Sequence, residues 1–185
     1  DFESGAPING GPLGAPWAVE DADVDLDGDL DLVVAGRSGG SVYWFANDGT
    51  GQFGGETLIT NQAPGVFSVT LFDADGDGSL DVFQANDHHA NYLLRNRGDG
   101  TFDEVGTQAG VAVNQDGAET GSMHGSLGDV DGDGDIDVVI GNNGQVNRLY
   151  LNDGSSTPFS PAAVASPTPS NPPPQWPWRI STATG

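Results

Sequence analysis

Acidic side chains at a regular spacing are the residues of this sequence with the clearest chemistry. The segment DVDLDGDLDLVV begins at Asp23, and similar segments begin at Asp73 (DADGDGSLDVFQ) and Asp129 (DVDGDGDIDVVI). Counted from the first aspartate, each segment has carboxylates at positions 1, 3, 5 and 9 and a glycine at position 6. Carboxylates this close repel one another, so a bound cation is needed to favour the turn.

The spacing is that of a calcium loop. Such loops use carboxylates at positions 1, 3 and 5, glycine at 6, a carbonyl at 7 and an oxygen ligand at 9. Oxygen ligands without His or Cys favour calcium over transition metals, and magnesium prefers fewer protein ligands. We predict about three calcium ions, one per loop. The predicted metal-binding residues are Asp23, Asp25, Asp27, Asp29, Asp31, Asp73, Asp75, Asp77, Ser79, Asp81, Asp129, Asp131, Asp133, Asp135 and Asp137.

Position 12 distinguishes these loops from a helical EF-hand. A bidentate glutamate is expected there, but the residues are Val34, Gln84 and Ile140. The flanking sequences alternate like strands, so we expect each loop to join two strands, with position 9 at the start of the second.

The similarity between the segments extends well beyond the loops. A strand-like stretch follows each loop, then a polar turn, a second strand, and a Gly-rich turn that leads to a phenylalanine. This pattern predicts an all-β fold of three propeller-blade-like repeats, each of about four antiparallel strands. We name residues 13–60, 61–115 and 116–160 repeats 1, 2 and 3. Residues 1–12 are expected to form the outer strand of an incomplete repeat, and the Pro-rich residues 161–185 an extended tail.

Composition limits the classes of partner. The 185 residues include 27 acidic and 5 basic side chains, for a net charge of −22. Nucleic acids and anionic membranes need a cationic surface, so neither is an expected partner. No apolar run reaches the roughly 18 residues of a membrane span, so membrane insertion is not expected. The absence of cysteine excludes disulfides and thiolate chemistry.

The loops and the turn NRGDGTF at residues 96–102 resemble the FG-GAP or VCBS-type repeats of extracellular β-propellers, including the calcium-binding blades of integrin α subunits. The resemblance covers about residues 13–160. It implies a secreted or cell-surface protein in which calcium supports structure and the chain binds proteins or glycans.

The repeat number suggests how the chain functions. Propellers usually have 4–8 blades, so three repeats indicate either part of a longer protein or several chains that complete one structure. The outer strand expected at Phe2 and the tail with Trp176 and Trp178 suggest strand exchange between chains. Head-to-tail contacts that do not close would produce a filament. We therefore expect a self-assembling structural or adhesive protein that is not an enzyme. A carbohydrate-binding, lectin-like module is the alternative.

Several other features have a simpler explanation. The tripeptide RGD at residues 97–99 lies where the other repeats have a hairpin turn, which favours a turn over an adhesion motif. Histidines without a nucleophile are weak indicators of catalysis, and scattered acids do not define a glycan-cleaving pair. Most aromatic residues are expected in the core, although some could stack on sugars. The residues concerned are His88, His89, His124, Glu20, Asp21, Glu119, Trp17, Trp44, Tyr43, Tyr92 and Tyr150.

Overall fold

The computed structural model of the chain describes residues 16–36, 40–62, 64–114, 117–155 and 159. Within these ranges the chain forms eleven strands and no helix, which confirms the all-β prediction. The strands are β1 (Pro16–Ala22), β2 (Asp31–Gly36), β3 (Ser41–Phe45), β4 (Thr57–Thr60), β5 (Val66–Phe72), β6 (Asp81–His89), β7 (Tyr92–Asn96), β8 (Phe102–Glu104), β9 (Thr120–Gly128), β10 (Asp137–Asn142) and β11 (Arg148–Tyr150).

Each repeat forms an antiparallel sheet whose strands pair in chain order. Repeat 1 contains β1 to β4, repeat 2 contains β5 to β8, and repeat 3 contains β9 to β11. Repeat 3 has an isolated bridge between Asn152 and Phe159 in place of a described fourth strand, and repeat 1 has a matching bridge between Asn47 and Phe53. The predicted sheets of about four antiparallel strands are thus confirmed.

Repeats 2 and 3 are also joined through their strands. The last residues of β6 pair with the first residues of β9, Asp87 with Gly121 and His89 with Thr120. The Asp loops precede β2, β6 and β10, so this junction lies at the opposite end of β6 from its loop.

Two hydrophobic cores lie between successive repeats. One combines Val33 and Val42 of repeat 1 with Val66 and Val82 of repeat 2 among its members. The other combines Phe83 of repeat 2 with residues of repeat 3, including Phe159 and Ile140. Because repeat 2 contributes to both cores, both faces of its sheet are buried, as in the stacked blades of a propeller.

In the first and last repeats, several residues equivalent to buried residues of repeat 2 are exposed to solvent. Val69, four residues before the second loop, is fully buried, whereas its counterpart Val19 in repeat 1 is 59% exposed. We call the side of repeat 1 that carries Val19 the leading face.

The opposite end shows the same contrast. Ala74 and Phe83 of repeat 2 are 1% and 0% exposed, whereas their counterparts Val130 and Val139 in repeat 3 are 56% and 39% exposed. We call the side of repeat 3 that carries Val130 and Val139 the trailing face.

Several expectations concern residues beyond these ranges. The outer strand predicted for residues 1–12, with Phe2, and the tail predicted for residues 161–185, with Trp176 and Trp178, lie outside the described residues. The described residues include no apolar helix of membrane-spanning length.

Candidate metal centres

The aspartate at position 1 folds each loop around its own carboxylate. In the second loop, Asp73 accepts hydrogen bonds from the backbone N–H groups of Asp77 (3.1 Å) and Gly78 (2.9 Å). Asp23 and Asp129 accept equivalent bonds from the glycine at position 6, at 3.0 and 3.2 Å. These hydrogen bonds hold the backbone of the loop around the position 1 carboxylate.

The glycine at position 6 provides the sharp turn. Gly28, Gly78 and Gly134 have φ angles of 99°, 91° and 102°. Residues with a Cβ rarely adopt this conformation, so the turn requires glycine.

The aspartate at position 9 closes each loop. Asp31, Asp81 and Asp137 begin β2, β6 and β10 and are at most 1% exposed. Each accepts one bond from the backbone N–H at position 2 and one from the N–H of an asparagine at or just beyond the end of the third strand of the repeat. In repeat 2 these distances are 3.0 Å to Ala74 and 2.8 Å to Asn96.

Three carboxylates converge in every loop. One oxygen from each lies within 4.8 Å of the others, so each group could hold a metal ion. In all three loops the group includes the carboxylates at positions 1 and 3. The third carboxylate comes from position 5 in the first loop and from position 9 in the second and third loops. The groups are Asp23, Asp25 and Asp27; Asp73, Asp75 and Asp81; and Asp129, Asp131 and Asp137.

Position 7 has a different environment. In repeats 1 and 3 the position 7 carboxylate lies against a glycine of the turn that follows the third strand. A Cβ added at Gly49 would contact the carboxylate of Asp29, and a Cβ added at Gly154 would lie 2.7 Å from that of Asp135. Ser79 lies in the same way beside Gly98. The side chains at position 7 therefore pack on the turn after the third strand, outside the carboxylate groups.

The position 5 side chains support this part of the loop in all three repeats. Asp27, Asp77 and Asp133 accept hydrogen bonds from the backbone N–H of position 7, at 3.0, 2.8 and 3.0 Å. Asp27 also belongs to the carboxylate group of its loop, whereas the groups of the second and third loops do not include Asp77 or Asp133.

The second loop has an oxygen suited to a metal. Oδ1 of Asp75 is buried and has no hydrogen-bond partner among the described residues. A buried acceptor without a partner is costly, and a hard cation would satisfy it. With three carboxylates nearby and no nitrogen or sulfur ligand, the donor set fits calcium.

Burial and crowding raise the pKa of several of these groups. The pKa of Asp81 rises to about 7, mainly because the carboxyl group is buried. The hydrogen bonds from Asn96 and Ala74 lower this pKa and so oppose part of the rise. The pKa values of Asp25, Asp75 and Asp131 are raised as well, first by desolvation and then by neighbouring carboxylates.

In each repeat an asparagine has a structural role that was not predicted from the sequence. In repeat 2, the Asn96 side chain donates to the carbonyl of Leu80 (3.2 Å) and accepts from the N–H of Gly98 (2.9 Å). Asn47 and Asn152 make the same pair of bonds in their repeats. These asparagines could have been recognised from their nearly constant spacing in the sequence. They lie 24, 23 and 23 residues after the first aspartate of their loops.

The same asparagines connect neighbouring repeats. Nδ2 of Asn152 also donates to the carbonyl of Ala74 at position 2 of the preceding loop (3.0 Å), and Nδ2 of Asn96 lies 3.5 Å from the carbonyl of Val24. The first and second Asp loops are thereby hydrogen-bonded to the following repeat.

The other candidate residues do not converge on a site. The RGD tripeptide lies in the turn between β7 and β8, where Asp99 accepts the N–H of Thr101 and Arg97 contacts Asp103. His88 lies 3.4 Å from Asp87 and is well exposed, while His124 lies within β9. Trp17 is 48% exposed and packs edge-on against Phe67.

Comparison with solved structures identifies a propeller-like neighbour. An Agrocybe aegerita lectin, described for its specific recognition of non-reducing terminal N-acetylglucosamine, superposes with a TM-score of 0.51 at 27% sequence identity. The match covers 77% of this chain and 36% of the lectin chain.

Sequence comparison identifies relatives in vertebrates. Human cartilage acidic protein 1 is 39% identical over 74 residues, which is 38% of this chain, and the mouse protein is 34% identical over 97 residues, or 51% of this chain. The matched segments span only 10% and 14% of these relatives. The family model for the FG-GAP-like repeat matches residues 23–84, 73–140 and 129–183. The chain therefore belongs to the FG-GAP-like repeat family.

Proposed function

We propose that this chain is a calcium-stabilised extracellular β-repeat module with a structural or adhesive role, and that it associates with copies of itself. The observation that carries the proposal is the carboxylate group repeated in all three loops, with its oxygens within 4.8 Å of one another. Calcium would supply the positive charge that offsets their repulsion, and the loop residues would hold it between the first two strands of each repeat. The proposal includes no catalytic step.

Two considerations support an extracellular location. Calcium sites of extracellular modules bind in the range of about 10⁻⁴–10⁻³ M, which suits the largely exposed first and third loops. The chain is also similar to cartilage acidic protein 1, whose name refers to cartilage.

The two end faces support self-association. The leading and trailing faces are the two halves of an interface that already occurs twice inside the chain, between repeats 1 and 2 and between repeats 2 and 3. A second copy would place its leading face on the trailing face of the first. Asn47 of that copy would then reach the carbonyl of Val130, as Asn152 reaches that of Ala74.

Charge makes this association depend on calcium. Two copies with a net charge of −22 each repel one another, and bound calcium would lower the charge nearest the contact. Contacts of this head-to-tail kind leave one face free at each end and therefore extend.

The first prediction concerns the number of ions. Isothermal titration with calcium is expected to give about three ions per chain, and Asp131→Ala is expected to give about two, because it removes a carboxylate from the third group. Asp99→Ala is the matched control, since Asp99 also accepts a backbone N–H in an exposed turn. The calcium assignment is wrong if Asp131→Ala and Asp99→Ala bind the same number of ions as the unmodified chain.

The second prediction concerns the end faces. In calcium, light scattering after size exclusion should show a mass that grows with protein concentration. Val130→Asp and Val19→Asp should each block growth, because each places a charge on one face. An equimolar mixture of the two variants should stop at dimers, since each chain retains one functional face.

Val146→Asp is the control for this experiment. Val146 is 54% exposed, close to the 56% of Val130, but it lies in the turn between β10 and β11. This variant should associate like the unmodified chain. A chain that stays monomeric in calcium at every concentration would contradict self-association and leave the faces to a different protein.

The third prediction concerns pH. In EGTA, the folded chain retains a proton on Asp81 between the unfolded pKa of about 4 and the folded pKa of about 7. The folded state then binds more protons than the unfolded state, so the free energy of unfolding should fall as pH rises from 5 to 8. Excess calcium should reduce this decline, because the ion binds the carboxylate form.

Urea unfolding at several pH values, with calcium and with EGTA, measures this effect. Asp81→Asn should lower stability throughout but flatten the decline in EGTA. Stability in EGTA that rises between pH 5 and pH 8 would contradict the proposed protonation.

A carbohydrate-binding module is the second candidate function, favoured by the lectin neighbour. A groove of about 250 Å³ lies between the outer strands of repeats 1 and 2. The groove is lined by both apolar and polar side chains, a combination that suits a sugar ring. The lining residues are Ile59, Thr60, Gln62, Tyr92, Leu94, Phe102 and Glu104.

The fourth prediction tests this candidate. If the groove binds sugar, a glycan array with N-acetylglucosamine termini should show binding that Phe102→Ser removes and Leu58→Ser retains. Leu58 is an exposed residue of β4 that does not line the groove. Absence of binding to the whole array would remove this candidate.

A further inference from the structure

The second Asp loop carries less negative charge than the other two. Position 7 is Ser79 in this loop, whereas it is Asp29 in the first loop and Asp135 in the third. The second loop therefore has four carboxylates and each of the others has five. The position 7 side chain lies outside the carboxylate group, so this difference weakens the second site by lowering the negative charge around the ion, not by removing a ligand.

An arginine next to the second loop increases this difference. Nη1 of Arg95, on β7, lies 3.8 Å from Oδ2 of Asp75, the position 3 carboxylate. Arg95 immediately precedes Asn96. The residues that precede the equivalent asparagines, Asn47 and Asn152, are Ala46 and Leu151. Only the second of the three loops has a cation at this position.

The other acidic neighbour of Arg95 neutralises only part of its charge, so the rest acts on the loop. Nη2 of Arg95 lies 3.5 Å from Asp103, but Arg97 contacts that same carboxylate at 2.6 Å. Two guanidinium groups thus share one carboxylate. The side chains of Arg95 and Asp75 are 33% and 11% exposed, so water screens this pair less than a surface pair.

We propose that Arg95 makes the second loop the weakest of the three calcium sites and the one that depends least on calcium for its folded form. A calcium ion bound by Asp75 would be repelled by the guanidinium group nearby. Without calcium, the same group offsets part of the repulsion among Asp73, Asp75 and Asp81. This inference rests on the proposed function, because it assumes that the loops bind calcium.

The position 6 glycines allow each site to be followed separately. The N–H groups of Gly28, Gly78 and Gly134 donate to the position 1 aspartates at 3.0, 2.9 and 3.2 Å. Their amide resonances in the full chain should therefore respond to calcium at their own loops. During a calcium titration of chelator-treated protein, the resonance of Gly78 should reach its calcium-bound position last.

Arg95→Gln is the informative variant. It should shift the calcium midpoint of Gly78 to a concentration lower by roughly three- to tenfold, because it removes one charge near the ion. The midpoints of Gly28 and Gly134 should stay unchanged. Arg148→Gln is the matched control: it removes the same charge from β11, in repeat 3, and it should move the Gly78 midpoint by less than about twofold.

The outcomes separate this inference from the proposed function. If all three glycines respond but Gly78 is not last, or if Arg95→Gln fails to lower its midpoint, the role of Arg95 is wrong and calcium binding stands. If none of the three responds to calcium, both the role of Arg95 and the proposed function are wrong.

Discussion

Clustered carboxylates repel one another in every repeat of this chain, at the point where the backbone turns into a buried strand. Each loop brings three carboxylate oxygens within 4.8 Å of one another, and each does so at the start of a buried strand. Backbone N–H groups satisfy the aspartates at positions 1 and 9, but hydrogen bonds do not remove the net charge. A divalent cation would reverse the sign of the interaction, so that the most repulsive part of each repeat would become its most strongly held part.

The loops influence more than their own strands. The aspartate at position 9 accepts the N–H of the asparagine at the end of the third strand or just beyond it. Two of these asparagines contact the preceding loop as well. Through Asn152, for example, repeat 3 is attached both to its own loop and to Ala74 in repeat 2. A change in one loop should therefore affect the packing between repeats.

Much of this arrangement could be predicted from sequence because it repeats. The spacing of the aspartates, the glycine at position 6 and the alternation after position 9 predicted loops between strands, and the structure has such loops. The membership of each carboxylate group could not be predicted, since equal spacing leads to Asp27 in one group and to Asp81 or Asp137 in the others. The link from Asn152 to the preceding loop was also inaccessible, because it joins residues 78 apart through the stacking of two sheets.

Calorimetric unfolding of the full chain in calcium and in EGTA tests whether a cation offsets the carboxylate repulsion in the loops. If calcium offsets the carboxylate repulsion, the Tm should fall by more than about 10 °C on chelation, and magnesium should restore little of the loss. Superimposable unfolding curves in calcium and EGTA would contradict the claim that these loops need a cation to stabilise the fold.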